Sequence, residues 1–158
     1  MFKFLKGLGA DRWKAYGSHK ERFSAAFPGH VSRQFFGFLE DDGESPGSVV
    51  YSSKSGDGVL YEVRVTRVME YYGSAEDFLK TALVTMASSM TDCVIVRQKS
   101  EVFRDRPAIA FEASIRGAMS LCGVAALRDR TLYMLSVFFR SGAQHNLPRF
   151  LNGFEMLR

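Results

Sequence analysis

The chain has 158 residues, of which 46% are hydrophobic and 24% are charged, and its formal net charge is +4. This length and composition fit one globular domain, and no apolar run is long enough to predict a transmembrane helix. Residues 1–20 carry five bases and one acid, whereas residues 21–158 carry sixteen of each. Because a nucleic-acid-binding face needs a larger basic excess, the charge pattern argues against a nucleic-acid partner.

The sequence after residue 20 predicts β-structure. Short strands are expected over Arg22–Phe27 and Val31–Glu40, and an acidic loop over residues 41–47 follows them. Ser48–Ser53 and Val59–Val68 flank a Gly-Asp-Gly turn, which indicates a hairpin. Apolar and polar residues alternate along the second of these runs, as in a strand with one buried face.

A long amphipathic helix is predicted over Ser74–Met90. Ser74 and Asp77 resemble a capping box, with Asp in place of the usual Glu. One helical stripe is apolar and must pack against another element, for which the sheet is the only large candidate. This stripe contains Leu79, Ala82, Leu83, Met86 and Met90.

Four further strands and a short helix complete the predicted fold. The strands are Cys93–Phe103, Pro107–Ile115, Ala118–Leu127 and Thr131–Arg140. Their two- and three-residue links force antiparallel neighbours, since a parallel crossover needs a dozen or more residues. Asn146 and Pro148 mark the start of the last helix. The order of elements predicts an α+β fold with a central antiparallel sheet.

Five ordered segments give the chain a resemblance to the Mog1/PsbP-like domains of bacteria. Phe23–Gly29 has the form F-S-x-x-F-P-G, which opens many of these domains, and Tyr61–Val65 resembles the strand before their long helix. Asp105–Ala108, Asp129–Leu135 and Phe150–Phe154 resemble a turn, a strand and the closing helix of the family. The resemblance spans residues 13–157.

The resemblance implies an α/β/α sandwich, in which helices cover both faces of the antiparallel sheet. Its members include a Ran-binding nuclear transport factor, a photosystem II subunit, DcrB-like lipoproteins and chaperones of type VI secretion effectors. Most of these roles are binding roles, so the resemblance favours a binding module over an enzyme. A fold shared by so many roles identifies no single function.

Two surfaces are candidates for binding a partner. One is the arm of residues 1–12, where Phe4, Leu5 and Lys6, with Trp13 beside the arm, combine apolar and basic character. The other is formed by two turns that a meander brings to one end of the sheet. They carry Arg104, Arg106, Arg128 and Arg130, and arginine suits an acidic partner.

Catalytic and metal-binding motifs are weak in this sequence. His19, His30 and His145 lie in predicted loops, and no nucleophile elbow surrounds a serine. Asp41, Asp42 and Glu44 lie close together in one loop, but their spacing is not that of an EF-hand. Cys93 and Cys122 are predicted to be free thiols in apolar surroundings. No cofactor-binding motif is present, and the sequence predicts no cofactor.

These observations predict a non-enzymatic, protein-binding module of adaptor or chaperone type, with residues 13–158 forming one domain. Two alternatives stay open at this point. One is a small-molecule-binding or catalytic domain with a pocket between sheet and helix, and the other is a protein that associates with membrane surfaces through its arm. A dimer is compatible with the sequence. Because no signal peptide is recognisable, a cytoplasmic location is expected.

Overall fold

The computed structural model describes residues 12–37 and 46–158. This part of the chain forms ten strands and two helices. The strands before the first helix are β1 (Lys14–Ser18), β2 (Phe23–Phe27), β3 (Ser32–Phe36), β4 (Gly47–Lys54) and β5 (Leu60–Arg67). The remaining elements are α1 (Ala75–Ser89), β6 (Cys93–Phe103), β7 (Arg106–Ile115), β8 (Met119–Arg128), β9 (Thr131–Arg140), α2 (Leu147–Asn152) and β10 (Glu155–Met156).

A seven-stranded antiparallel sheet is the centre of the molecule, with the order β3-β4-β5-β9-β8-β7-β6. Tight turns join β6 to β9, so each of these strands pairs antiparallel with the one before it, as the short links predict. Because β9 then pairs with β5, β6 becomes an outer edge of the sheet. A bulge interrupts β6 between Ile95 and Arg97.

The helix α1 covers one face of the large sheet. Its start is fixed by Ser74, whose hydroxyl oxygen accepts a hydrogen bond from the Asp77 amide at 3.1 Å, so the predicted cap is confirmed. Leu79 and Leu83 are fully buried against Ile109 and Leu121 of the sheet. Burial of this apolar stripe is the main force that holds the helix on the sheet.

The other face is covered by the short helix α2 and a three-stranded sheet with the order β1-β2-β10. Phe23 and Phe27 of β2 pack with Phe150 of α2 and with Phe154 into an aromatic core against β4, β5 and β9. The α+β architecture is thus confirmed. Helices lie on both faces of the large sheet, as expected, and the sheet β1-β2-β10 adds β-structure to the cover on this face.

Most strand ends lie within one or two residues of their predicted positions. β2 starts after Arg22, whose φ of 60° belongs to a turn and not to a strand. The predicted strand Val31–Glu40 is shorter among the described residues, since β3 ends at Phe36 and residues 38–40 lie outside them. Neither β1 nor β10 was predicted, because β1 is largely exposed and β10 has two residues.

Each covering layer packs mainly on one half of a sheet face, and Leu151 and Met156 extend the second layer onto Val124 of β8. α1 lies over β6, β7 and β8, whereas the aromatic core lies over β4, β5 and β9 on the opposite face. A groove therefore runs over β6–β8 on one face, and a cleft beside α1 runs over β5 and β9 on the other. Among the described residues, no helix is both long and apolar enough to span a membrane.

Candidate functional site

The groove over β6–β8 is a cavity of about 640 Å³, open to solvent along the face opposite α1. Its floor consists of Ala110 on β7 and of Cys122 and Val124 on β8. These side chains share a face because they alternate with Phe111 and Gly123, as strand geometry requires. The floor is smooth and apolar because its side chains are small.

Two different walls enclose this floor. The wall on the side of α2 is apolar, with Phe139, Leu147 and Leu151. The wall on the side of β6 is mostly charged, with Val96, Arg97, Lys99 and Glu101. Arg97 forms an ion pair with Glu112 at 3.8 Å, and both side chains are more than half exposed. A ligand in the groove would therefore meet an apolar wall on one side and charges of both signs on the other.

The wall formed by β6 is also the edge of the sheet. β6 has eleven residues and pairs only with β7 among the strands of the described chain. Val94, Val96 and Val102 on this strand are 62%, 64% and 73% exposed. A long edge strand with exposed β-branched side chains is a template for a strand from another chain.

A cysteine and a histidine meet where the groove approaches α2. The Cys122 sulfur lies 3.8 Å from Nε2 of His145, whose ring packs at a tilt against that of Phe139, with 4.3 Å between their centres. Burial, together with the negative charge of Glu112, raises the pKa of Cys122 to about 11. The thiol is therefore protonated at neutral pH and lacks the thiolate that nucleophilic attack needs. Both cysteines are free thiols, as predicted.

The arginine-bearing turns lie at the same end of the sheet, as the meander predicts. Two of their guanidinium groups, however, hold the C-terminal segment. Arg104 donates to the carbonyls of Leu151, Asn152 and Phe154, at 2.9–3.2 Å. Arg128 is buried and donates to the Leu157 carbonyl at 2.8 Å and to the Tyr133 hydroxyl at 2.9 Å.

Arg130 and Arg106 are the other two arginines of these turns. Arg130 donates to the Met69 carbonyl at 2.9 Å, on the side of the loop before α1. Arg106 is half-buried at the start of β7. The four arginines share an end of the sheet, but the guanidinium groups of Arg104, Arg128 and Arg130 contact different parts of the chain. Their proposed role toward an acidic partner stays a prediction.

Trp13 lies at the start of the described chain and packs on the core. Its ring meets that of Tyr61 edge-on at 4.8 Å, and the Arg149 guanidinium lies 5.1 Å from its centre. Phe4, Leu5 and Lys6 lie outside the described residues, as do Asp41, Asp42 and Glu44. In the part of the chain that the structure describes, no three His, Cys, Asp or Glu side chains form a group that could hold a metal ion.

Sequence reasoning missed the groove, although part of its signal is visible. Ala108 and Ala110 alternate with Ile109 and Phe111, so one face of β7 is lined with small side chains. Such a face leaves room for a groove. The sequence does not show how far α2 and β10 extend over it, because that depends on tertiary packing.

Comparisons with known proteins identify the fold. No protein-family model matches the sequence, and a search of curated proteins finds no match. The solved structure of the cyanobacterial PsbP (CyanoP) from Synechocystis sp. PCC 6803 is similar, with a TM-score of 0.57 and 10% identity, over 95% of each chain. A protein of unknown function from Pseudomonas aeruginosa, PA94, named a putative regulator, has a TM-score of 0.48 and 10% identity. It covers 82% of this chain and 84% of its own. With CyanoP aligned over nearly its whole length, the chain has the Mog1/PsbP-like fold that its sequence resembles.

Proposed function

We propose that this protein is a non-enzymatic adaptor or chaperone-like module that binds a segment of another protein in the groove over β6–β8. The observation that carries the proposal is a groove with a floor of small side chains, Ala110, Cys122 and Val124, directly beside an exposed edge strand. Exposed apolar side chains such as Val96, which is 64% exposed, have an unfavourable free energy in water, and a partner that covers them lowers it.

The shape of the site favours an extended segment over a compact ligand. The exposed edge of β6 can pair with the main chain of an added strand, and main-chain hydrogen bonds give such a complex affinity without sequence requirements. Alternate side chains of that strand can then enter the groove. The small floor residues leave room for large apolar side chains of the added strand. The charged residues along β6 favour residues of opposite charge beside those side chains.

A bacterial, cytoplasmic setting is part of the proposal. The resemblance to bacterial domains of this fold supports it, and so do the free thiols, which suit a reducing compartment.

Site-specific photocrosslinking tests this function. Val96 on β6 and Val84 on α1 are 64% and 63% exposed, so a photoreactive phenylalanine analogue at either position samples solvent equally. In living cells, we expect position 96 to give discrete adducts, which mass spectrometry identifies, and position 84 to give none. Ala110→Arg, which fills the groove floor with a charged side chain, should abolish the adducts.

A matched substitution controls for nonspecific effects of the added charge. Ala15 is exposed on β1, away from the groove, so Ala15→Arg should leave the adducts of position 96 unchanged. The same adducts from positions 84 and 96, or adducts that survive Ala110→Arg, would contradict the proposal.

A further inference from the structure

A second cavity, of about 400 Å³, lies on the opposite face of the sheet, between the flank of α1 and the strands β5 and β9. One wall is apolar and rich in methionine and phenylalanine. It consists of Phe78, Ala82, Met86 and Met90. The floor combines Met134 and Phe138 of β9 with polar side chains, namely Ser48, Glu62, Arg64, Thr66 and Ser136. A concave apolar wall with a few converging polar groups is the usual form of a small-molecule site, and the volume lies within the usual range.

Ser136 is the first sign that this floor lacks a partner. The residue is only 3% exposed, and its hydroxyl makes no hydrogen bond to any residue that the structure describes. On the same floor, the hydroxyls of Ser48 and Thr66 form a hydrogen bond with each other at 2.8 Å. A buried hydroxyl without a partner costs free energy, which a ligand that supplies the missing hydrogen bond would recover.

Glu62 is the second sign, and it lies directly opposite Ser136 in the pairing of β5 with β9. Its side chain is 16% exposed, and its nearest charge is Arg64, with 3.7 Å between Oε1 and Nε. That separation is too long for a hydrogen bond. Burial raises the pKa of Glu62, and the charge of Arg64 offsets only part of that rise.

The buried carboxylate of Glu21 shows what a structural acid looks like in this fold. Its Oε2 accepts hydrogen bonds from the hydroxyls of Ser18 and Tyr51, and Arg33 and Arg67 lie 3.4 and 3.6 Å from its Oε1. Glu62 has no comparable set of donors. A group that comes from outside the described chain would complete its surroundings.

We propose that this cleft binds a small molecule that carries an ammonium group on an apolar body. The ammonium donates to the Glu62 carboxylate and to the Ser136 hydroxyl oxygen, and the apolar body packs on the Phe78 and Met86 wall. This site lies on the other face of the sheet from the groove and is independent of the protein-binding function.

The charges in the cleft discriminate between classes of ligand. A ligand with only an anionic group would place that charge beside the buried Glu62, which electrostatics disfavours. The Arg64 side chain is 40% exposed at the edge of the cleft and can pair with a carboxylate that accompanies the ammonium. Two sources therefore share the required chemistry, namely an α-amino acid with a large apolar side chain and the corresponding amine.

Three matched probes test the proposal on the full chain. Phenylalanine carries both charged groups, phenethylamine lacks the carboxylate and 3-phenylpropionate lacks the ammonium. In ligand-observed NMR titrations at millimolar concentrations, we expect the two ammonium probes to bind and 3-phenylpropionate to bind at least about tenfold more weakly. Tighter binding of phenylalanine would identify the amino acid as the source, and tighter binding of phenethylamine would identify the amine.

Two variants place the binding in the cleft. Glu62→Gln should weaken the binding of the ammonium probes at least about tenfold, since it removes the negative charge of the side chain and keeps its shape. Ser136→Ala should also weaken them while the melting temperature stays equal or rises, because an unsatisfied hydroxyl is removed. Glu155→Gln, an exposed change on β10, should alter nothing.

Three results would overturn the proposal. These are the failure of both ammonium probes to bind, equal binding of 3-phenylpropionate, and unchanged binding to Glu62→Gln. A fall in the melting temperature of Ser136→Ala would instead assign that hydroxyl a structural role and remove it from the site. None of these results bears on the groove, because the photocrosslinks from position 96 report the other face.

Discussion

At the scale of single residues, the buried carboxyl of Glu62 makes the stability of the fold depend on pH. Burial raises its pKa in the folded chain above the ordinary value of 4.5, so the folded state binds the proton more tightly than the unfolded state. Stability is then greatest while the group is protonated and falls as pH rises through the folded-state pKa. We expect Glu62→Gln to match the wild type in free energy of unfolding at about pH 4 and to exceed it at about pH 7.

Urea unfolding at the two pH values measures this difference, with the exposed Glu155→Gln as the control. Glu155→Gln should follow the pH profile of the wild type. A Glu62→Gln protein that loses stability as pH rises, relative to the wild type, would show that the carboxylate is stabilised in the fold.

Arg128 is the residue whose role differs most between sequence and structure. The sequence offers it as a surface charge, whereas it is 7% exposed and donates to the Leu157 carbonyl, the Tyr133 hydroxyl and the Arg22 carbonyl. Arg128→Met should cost about 2–3 kcal/mol, because it leaves buried acceptors without a donor. Arg140→Met, at an exposed position, should stay within about 0.5 kcal/mol of the wild type.

Unfolding free energies from urea titrations at neutral pH test this pair of variants. Equal effects of the two substitutions would mean that the Arg128 hydrogen bonds contribute no more than a surface charge. The contrast also explains a limit of sequence reasoning. Arginine is usually exposed, and no local pattern shows that the C-terminal carbonyls will come to lie beside residue 128.

At the scale of elements, local signals were sufficient wherever the interactions are local. Ser74 and Asn146 each accept a hydrogen bond from the amide three residues later, so both helix starts could be predicted. The short turns of the meander likewise determined the pairing of β6 to β9. The pairing of β2 with β10 could not be predicted, because it joins Phe23 to Met156 across most of the chain.

For the edge strand β6, local sequence predicted the bounds of the strand but not its position in the sheet. Its bounds, Cys93–Phe103, were predicted without error. Its place at the edge was not, because that place follows from the pairing of β9 with β5. A pocket between sheet and helix was one alternative that the sequence left open, but the residues that line the groove and the cleft depend on such long-range pairings and could not be located from it.

At the scale of the whole molecule, the two covering layers are offset across the large sheet. α1 covers β6–β8 on one face, and the aromatic core covers β4, β5 and β9 on the other. The offset leaves a groove on one face and a cleft on the other, and the two differ in chemistry. The groove has an apolar floor beside a sheet edge, whereas the cleft has a partly polar floor beside an apolar wall. This arrangement supports the two proposals, a protein-binding groove and a small-molecule cleft, on opposite faces of one sheet.

The central claim is that a protein partner occupies the groove over β6–β8. Amide hydrogen exchange tests it most directly, on the protein alone and in complex with the partner that the position 96 photocrosslinks identify. We predict that the partner slows exchange in β6 and at the groove-lining amides of β8, and leaves exchange in β3, β4 and α1 unchanged. Slower exchange in α1 or β4, with β6 unaffected, would contradict the claim.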